Sequence, residues 1–335
     1  MRTNRLTMIT LTTAMLAGAS SAAQAQQTHE WTLVSPLTPA ISYMALYQEL
    51  ADNISERSDG RLKINFLSYG QHPFSGAEIL SAVRDGIVQM GNTADVYVSS
   101  MEPAIAFLGL PFLFDNLDQA KTVYAELEEP YYRQIFADKY NAELTTGFII
   151  SGSAIHSSRP LNSLEAMRGQ KIRVFGHESG EMIRLLGGEP STVAFGELYT
   201  SLQRGTIDGA LTGMDGANAA RVYEVVDHNT WWNWSYPVEF TFVNQDAMAA
   251  LPEDLQEIVR EEARLINEII QADRDIGTMR ILVDSIEQHG ITVSGLDADT
   301  LEEFRARTQP IRDGWLEETG ELGQQAFSIY QESLQ

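Results

Sequence analysis

The 335-residue chain has no cysteine, which excludes disulfides, thiolate metal sites and cysteine nucleophiles. Basic residues are scarce, with 23 Lys and Arg against 46 Asp and Glu, a formal net charge of −23. No basic patch emerges easily from that excess, so nucleic acid is not an expected partner. An anionic ligand would need a local cation to overcome the general field. Long hydrophobic runs are missing too. The apolar stretch Met8 to Ala19 is too short to cross a bilayer and no later segment approaches the length required, so the chain is not expected to span a membrane. The six histidines (His29, His72, His156, His177, His228 and His289) never fall at His-x-x-x-His spacing. There is no Gly-x-Ser-x-Gly elbow and no phosphate-cradling glycine loop. Neither a metal nor a cofactor is expected, and no catalytic residues stand out.

What is present describes an exported globular protein. Hydrophobic residues make up 44% and charged residues 21% of a chain long enough for two domains with real cores. Arg2 and Arg5 precede the short apolar stretch, and Ala23-Gln24-Ala25 follows it. That order is the pattern of a secretory signal peptide over residues 1–25, cleaved near Ala25.

The mature chain opens as a β-α-β-α-β series: Trp31 to Ser35, a helix from Ser42 to Ser58, Leu62 to Leu67, a helix from Ser75 to Asp85, and Val88 to Thr93. Helices over 117–128 and 131–140 and a strand Leu144 to Ile150 complete a first lobe, 26–150. The break Ser151-Gly152-Ser153 opens a second lobe, 151–240. Here strands at Lys171 to Phe175, Pro190 to Ala194 and Thr206 to Leu211 alternate with short helices, which implies parallel pairing through right-handed crossovers. Residues 241–335 hold a long helix, 254–289, with Leu255, Ile258, Ile266, Ile269, Ile276, Leu282 and Ile286 on an inward side, then a helical tail bent at Pro310. Part of this region is expected to return to the first lobe. The fold class is α/β, two lobes with a hinge and a long helix spanning them.

Candidate ligand residues sit where such sheets leave a crevice, beyond the strand C-termini. Alternation in Lys171-Ile172-Arg173-Val174-Phe175 sends Arg173 to the face opposite Ile172 and Val174. A buried guanidinium there demands an anion, and a carboxylate answers it with two parallel hydrogen bonds. Asp95 follows a strand of the first lobe and reads as a ligand contact or a helix cap. Phe195 follows the second strand of its lobe, and Trp232 and Trp234 share one face of an extended segment, reading as pocket wall or as core. Tyr43, Phe74, Ser153, Thr212 and Asp215 complete the candidate list.

Several fragments together carry a family resemblance. They are Val83-Arg84-Asp85-Gly86, Leu110-Pro111-Phe112-Leu113-Phe114, Gly169-Gln170-Lys171-Ile172-Arg173-Val174, Glu197 to Gln203, Gly205-Thr206-Ile207-Asp208-Gly209 and Tyr223-Glu224-Val225. In order and spacing the chain resembles the solute-binding proteins of tripartite ATP-independent periplasmic (TRAP) transporters, of the dicarboxylate-binding type. The resemblance implies a periplasmic, two-lobed protein that closes on a small organic acid and hands it to membrane permease subunits without catalysis. It also implies that Arg173 pairs with the ligand carboxylate and that Phe195 touches the ligand. Two departures stand out: Ser153 lies where many relatives carry a second arginine, and Thr212 lies near the usual asparagine. With that cation missing, the expected ligand is a monocarboxylate with an apolar or aromatic body. An exported enzyme or a sensor module for a similar acid remain the alternatives.

Overall fold

The computed structural model describes residues 28–150 and 153–334, so the expected signal peptide lies outside the described residues. Strands β1 (His29–Val34), β2 (Leu62–Leu67), β3 (Met90–Ala94) and β4 (Ala142–Ile149) form in the first half. The strands β5 (Ser153–Ser157), β6 (Lys171–Val174), β7 (Glu189–Thr192), β8 (Gly209–Gly213) and β9 (His228–Trp231) follow. Then β10 (Val238–Asn244) and β11 (Thr292–Gly295) part company. The first sheet runs β2-β1-β3-β10-β4 and the second β11-β9-β5-β8-β6-β7. One late strand therefore returns to each lobe, and the chain passes between the sheets three times.

Edge and centre of the first sheet differ in pattern for a physical reason. In β2 the buried residues Leu62 and Ile64 alternate with exposed Lys63 and half-buried or exposed neighbours, as an edge strand with one wet face should. β10 is buried along its whole length because it lies antiparallel between β3 and β4, with helices over both faces. Val238 to Asn244 alternates apolar and polar residues in sequence, as a strand with one wet face would, but both faces are covered. In the second sheet β6 pairs parallel with β7 and β8, as the βαβ pattern implies. The third strand of that series begins at Gly209 rather than Thr206, because residues 205–208 are used in a turn that starts with Gly205 at φ 66°.

The long helix spans Glu253–His289 and ends at Gly290 in the left-handed conformation. Its first half is fastened to the first lobe: Arg57 pairs with Glu262 at 2.7 Å, and Asn267 Nδ2 donates to the Gly147 carbonyl at 2.9 Å. Its second half reaches the other lobe, where Arg274 pairs with Asp215 and His289 stacks on Tyr223 at 3.8 Å. The helix braces both lobes. Its inward face differs from the expected one, since Leu255, Val259, Ala263, Ile266, Ile270 and Arg274 are buried while Ile269, Ile276 and Ile286 are exposed. The tail helix Ala298–Thr319 continues through Pro310. Among the described residues no helix is long and apolar enough to cross a membrane.

Candidate ligand-binding site

A cavity of about 100 Å³ opens between the two sheets. The first lobe supplies Leu37, Ile41, Tyr43, Tyr97 and Glu239, and the second supplies Ser153, Arg173, Phe175, Phe195, Thr212 and Asp215. The long helix adds Arg274. Six of the ten sequence candidates thus share one cavity: Tyr43, Ser153, Arg173, Phe195, Thr212 and Asp215.

Arg173 enters from the end of β6 and is only 4% exposed. Its Nε donates to the Val193 carbonyl at 3.1 Å and its Nη1 to the Leu211 carbonyl at 3.4 Å. These neutral acceptors fix the guanidinium but leave its charge unbalanced, for no carboxylate pairs with it among the described residues. Burial accordingly pulls it below the ordinary arginine range, with only nearby Tyr97 acting the other way. Phe175 lies under the guanidinium, 5.7 Å from its carbon.

Arg274 is arranged differently. Its Nη1 bonds to Asp215 Oδ2, and its guanidinium carbon sits 5.1 Å from the Tyr43 ring and 5.7 Å from that of Phe148. Burial acts to lower it, but Asp215, Tyr43 and Glu239 together hold it above the ordinary value. Nearby, Glu239 Oε2 accepts the Tyr43 hydroxyl at 2.8 Å. Burial pushes the Glu239 carboxyl up to about 7, against the opposing pull of the Tyr43 bond and Arg274. Three polar atoms in this group, the oxygens Glu239 Oε1 and Asp215 Oδ1 and the donor Arg274 Nε, are buried without a partner. Close packing shapes the wall beside them: a Cβ on Gly216 would stand 2.9 Å from Thr212 Oγ1 and 3.4 Å from the Phe195 ring.

Four candidates lie elsewhere. Trp232 is in the core of the second lobe, 5.1 Å from Phe304, with its Nε1 bonded to the Leu161 carbonyl at 3.1 Å. Trp234 shares that core. Asn233 between them is left-handed at φ 47°, so the segment is not a regular strand: Trp232 packs on Phe112 and Phe304, while Trp234 sits behind the cavity wall with its ring 6.2 Å from that of Phe175. Phe74 packs against the first-lobe core and stacks near His72. Asp95 is fully buried behind the cavity wall, where its Oδ2 accepts the Val238 amide at 3.1 Å and ties the start of β10 in place. Its neighbours Ala94, Val96 and Tyr97 line the cavity instead.

Glu239 and Arg274 are the charged lining residues that sequence reasoning missed. Glu239 sits at an alternating position that reads as solvent-facing. Arg274 interrupts an otherwise apolar row at four-residue spacing, Ile266-Ile270-Arg274, and that interruption was the available signal. A second guanidinium does line the cavity, arriving from the long helix rather than from the position of Ser153, and it is paired with Asp215.

The chain matches the family described as bacterial extracellular solute-binding protein, family 7, over residues 34–318. It is 22% identical over 262 residues to the ectoine-binding periplasmic protein TeaA of Halomonas elongata, covering 77% of this chain and 76% of that one. A monocarboxylate 2-oxoacid-binding periplasmic protein of a Nostoc species is 25% identical over 268 residues, 77% of this chain and 72% of its own. Among solved structures, DctP7, a Bordetella pertussis extracytoplasmic solute receptor binding pyroglutamic acid, superposes with a TM-score of 0.84 at 21% identity, covering 91% of this chain and 100% of that one. Two lobes braced by one long helix around a buried arginine, and a family match across nearly the whole described chain, lead to one assignment: the protein belongs to family 7 of the bacterial extracellular solute-binding proteins, the solute receptors of TRAP transporters.

Proposed function

We propose that this receptor captures a small organic acid bearing a hydrogen-bond-donating nitrogen beside its carboxylate, and delivers it to TRAP permease subunits. The observation that carries the reading is the asymmetry of charge and hydrogen bonding around the cavity. Arg173 is a buried cation that lacks an anion, and a ligand carboxylate supplies one with bidentate geometry. Asp215 Oδ1 is a buried acceptor that lacks a donor, and Glu239 Oε1 is another when that carboxyl is ionised. A lactam, amidine or ammonium N–H answers Asp215 Oδ1, whereas a second carboxylate placed there would face it without a hydrogen bond and is disfavoured. Leu37, Ile41, Phe175 and Phe195 leave an apolar wall for the body of the ligand. The aromatic-body expectation loses its support, since Trp232 and Trp234 are core residues.

Two ligands named for related proteins are of this kind, since pyroglutamic acid for DctP7 and ectoine for TeaA each join a carboxylate to a ring nitrogen, whereas the 2-oxoacid of the Nostoc protein carries none. In this reading the lobes close on the solute, nothing is chemically converted, and the mature chain begins after Ala25 in the periplasm. Calorimetry with a matched pair, pyroglutamate and its ring-oxygen lactone analogue, tests the nitrogen. The lactam should bind at least about tenfold tighter, the worth of roughly one hydrogen bond to a buried charged group. Equal affinity for the two, or a preference for succinate, overturns the ligand class while leaving Arg173 as an acid anchor.

A further inference from the structure

The outer face of the long helix carries a second pattern, independent of the cavity. Leu265, Ile269, Ile276, Met279, Val283 and Ile286 are all exposed, Ile276 by 64% and Met279 by 54%. With Ala272, also exposed, they recur at alternating spacings of four and three residues along the whole second half of the helix. This is a heptad seam, and it lies opposite the face that buries Ile270, Arg274, Thr278 and Ser285. Single exposed apolar residues need no explanation, but a continuous seam of this length on a chain of net charge −23 does.

We infer that this seam pairs two copies of the chain, the long helices lying antiparallel. The charges beside the seam select both the occupant and the direction. In the antiparallel register that sets Ile276 of one copy against Met279 of the other, Ile269 meets Ile286 and Ala272 meets Val283. The same register brings exposed Asp273 of each copy beside exposed Arg280 of the other, twice, by symmetry. A parallel pairing sets Asp275 beside Arg280 but also Glu268 beside Asp273, so its attractive contact is offset by a like-charge one. An anionic lipid surface offers no cation to Asp273 beside the seam, whereas a second copy presents Arg280. The dimer leaves the ligand cavity untouched, because Arg274 points from the opposite side of the helix.

Sedimentation velocity on the mature protein over a range from about 1 to 100 μM tests the pairing. A concentration-dependent dimer is expected. Ile276→Asp, at an exposed position, should raise the dimer dissociation constant at least about 100-fold by placing a charge in the seam. Arg280→Asp should weaken it about tenfold, and the swap D273R/R280D should restore it. Because the chain lacks cysteine, a mixture of I276C and M279C proteins should form a disulfide-linked dimer more readily than either alone. Circular dichroism and thermal midpoints of the variants separate lost pairing from lost folding. A chain that stays monomeric at 100 μM, or a dimer indifferent to Ile276→Asp, overturns the inference. A dimer weakened by Arg280→Asp that the charge swap fails to restore overturns the antiparallel register. Monomers whose Ile276→Asp form no longer engages permease subunits assign the seam to the transporter instead.

Discussion

Two arginines reach the same cavity in opposite circumstances. Arg173, on a strand of the second lobe, is held by two backbone carbonyls and has no counterion. Arg274, on the long helix, is paired with Asp215 and packed over Tyr43 and Phe148. The difference separates an anchor from a brace. A cation that the fold orients but does not neutralise holds its free energy in reserve for a ligand anion. A cation neutralised by another element has already spent that interaction on joining helix to lobe. Burial alone does not distinguish them, since both are nearly inaccessible; the partner list does.

Removing Asp215 tests the brace most severely. Asp215→Ala leaves Arg274 buried without compensation and should cost about 3–5 kcal/mol of stability, measured by urea unfolding. If stability holds and anion affinity rises, Arg274 is a second anchor and the contrast fails. Arg173→Met should act the other way round. Affinity for the organic acid should fall by about 2–5 kcal/mol in calorimetry. The unliganded midpoint should be unchanged or raised, because a buried unpaired charge is gone. Affinity close to that of the parent would remove Arg173 from the anchor role.

The group beside the brace gives a pH signature. Glu239 titrates near 7 in the folded protein against an ordinary 4.5. The folded state therefore holds its proton longer than the unfolded state does. The stability it contributes is complete below about 4.5, declines as pH rises to about 7 and is constant above. The total is on the order of 3 kcal/mol. His156 works in the opposite sense, lowered by burial from 6.5 to about 4, so its contribution is present above 6.5 and lost as pH falls through 4. Glu239→Gln should flatten the decline between pH 4.5 and 7 without altering the loss at acid pH. An unchanged slope in denaturant titrations across that range would show that Glu239 is ionised in the fold. The smallest effect is expected at Gly216→Ala, whose methyl group crowds Thr212 and Phe195. It should cost about 1–2 kcal/mol, detectable as a weaker ligand affinity before any loss of thermal midpoint.

Much of the architecture was legible because it rests on local pattern. The two βαβ series, the long helix with its Gly290 stop and the placement of Arg173 at a strand end follow from period, turn residues and capping. Glu239 was illegible because alternation in Val238 to Asn244 looks the same whether one face is wet or both are covered. Only the insertion of β10 between β3 and β4 hides that carboxyl. The tryptophans failed for a related reason. Their two-residue spacing assumed an extended segment, and the left-handed Asn233 between them sends Trp232 to Phe304 and Trp234 to Phe175.

The sequence by itself determined the fold class, the family and one end of the site, since helix and strand periods, cap residues and motif order are properties of neighbours along the chain. The tertiary structure alone decided the other end. It brought Arg274 to Asp215 across 59 positions and left Glu239 and Asp215 with acceptors unfilled. It also turned Ile269, Ile276 and Ile286 outward rather than in. Which charges meet, and which apolar face finds a core, depends on how distant elements pack, and local spacing does not encode it.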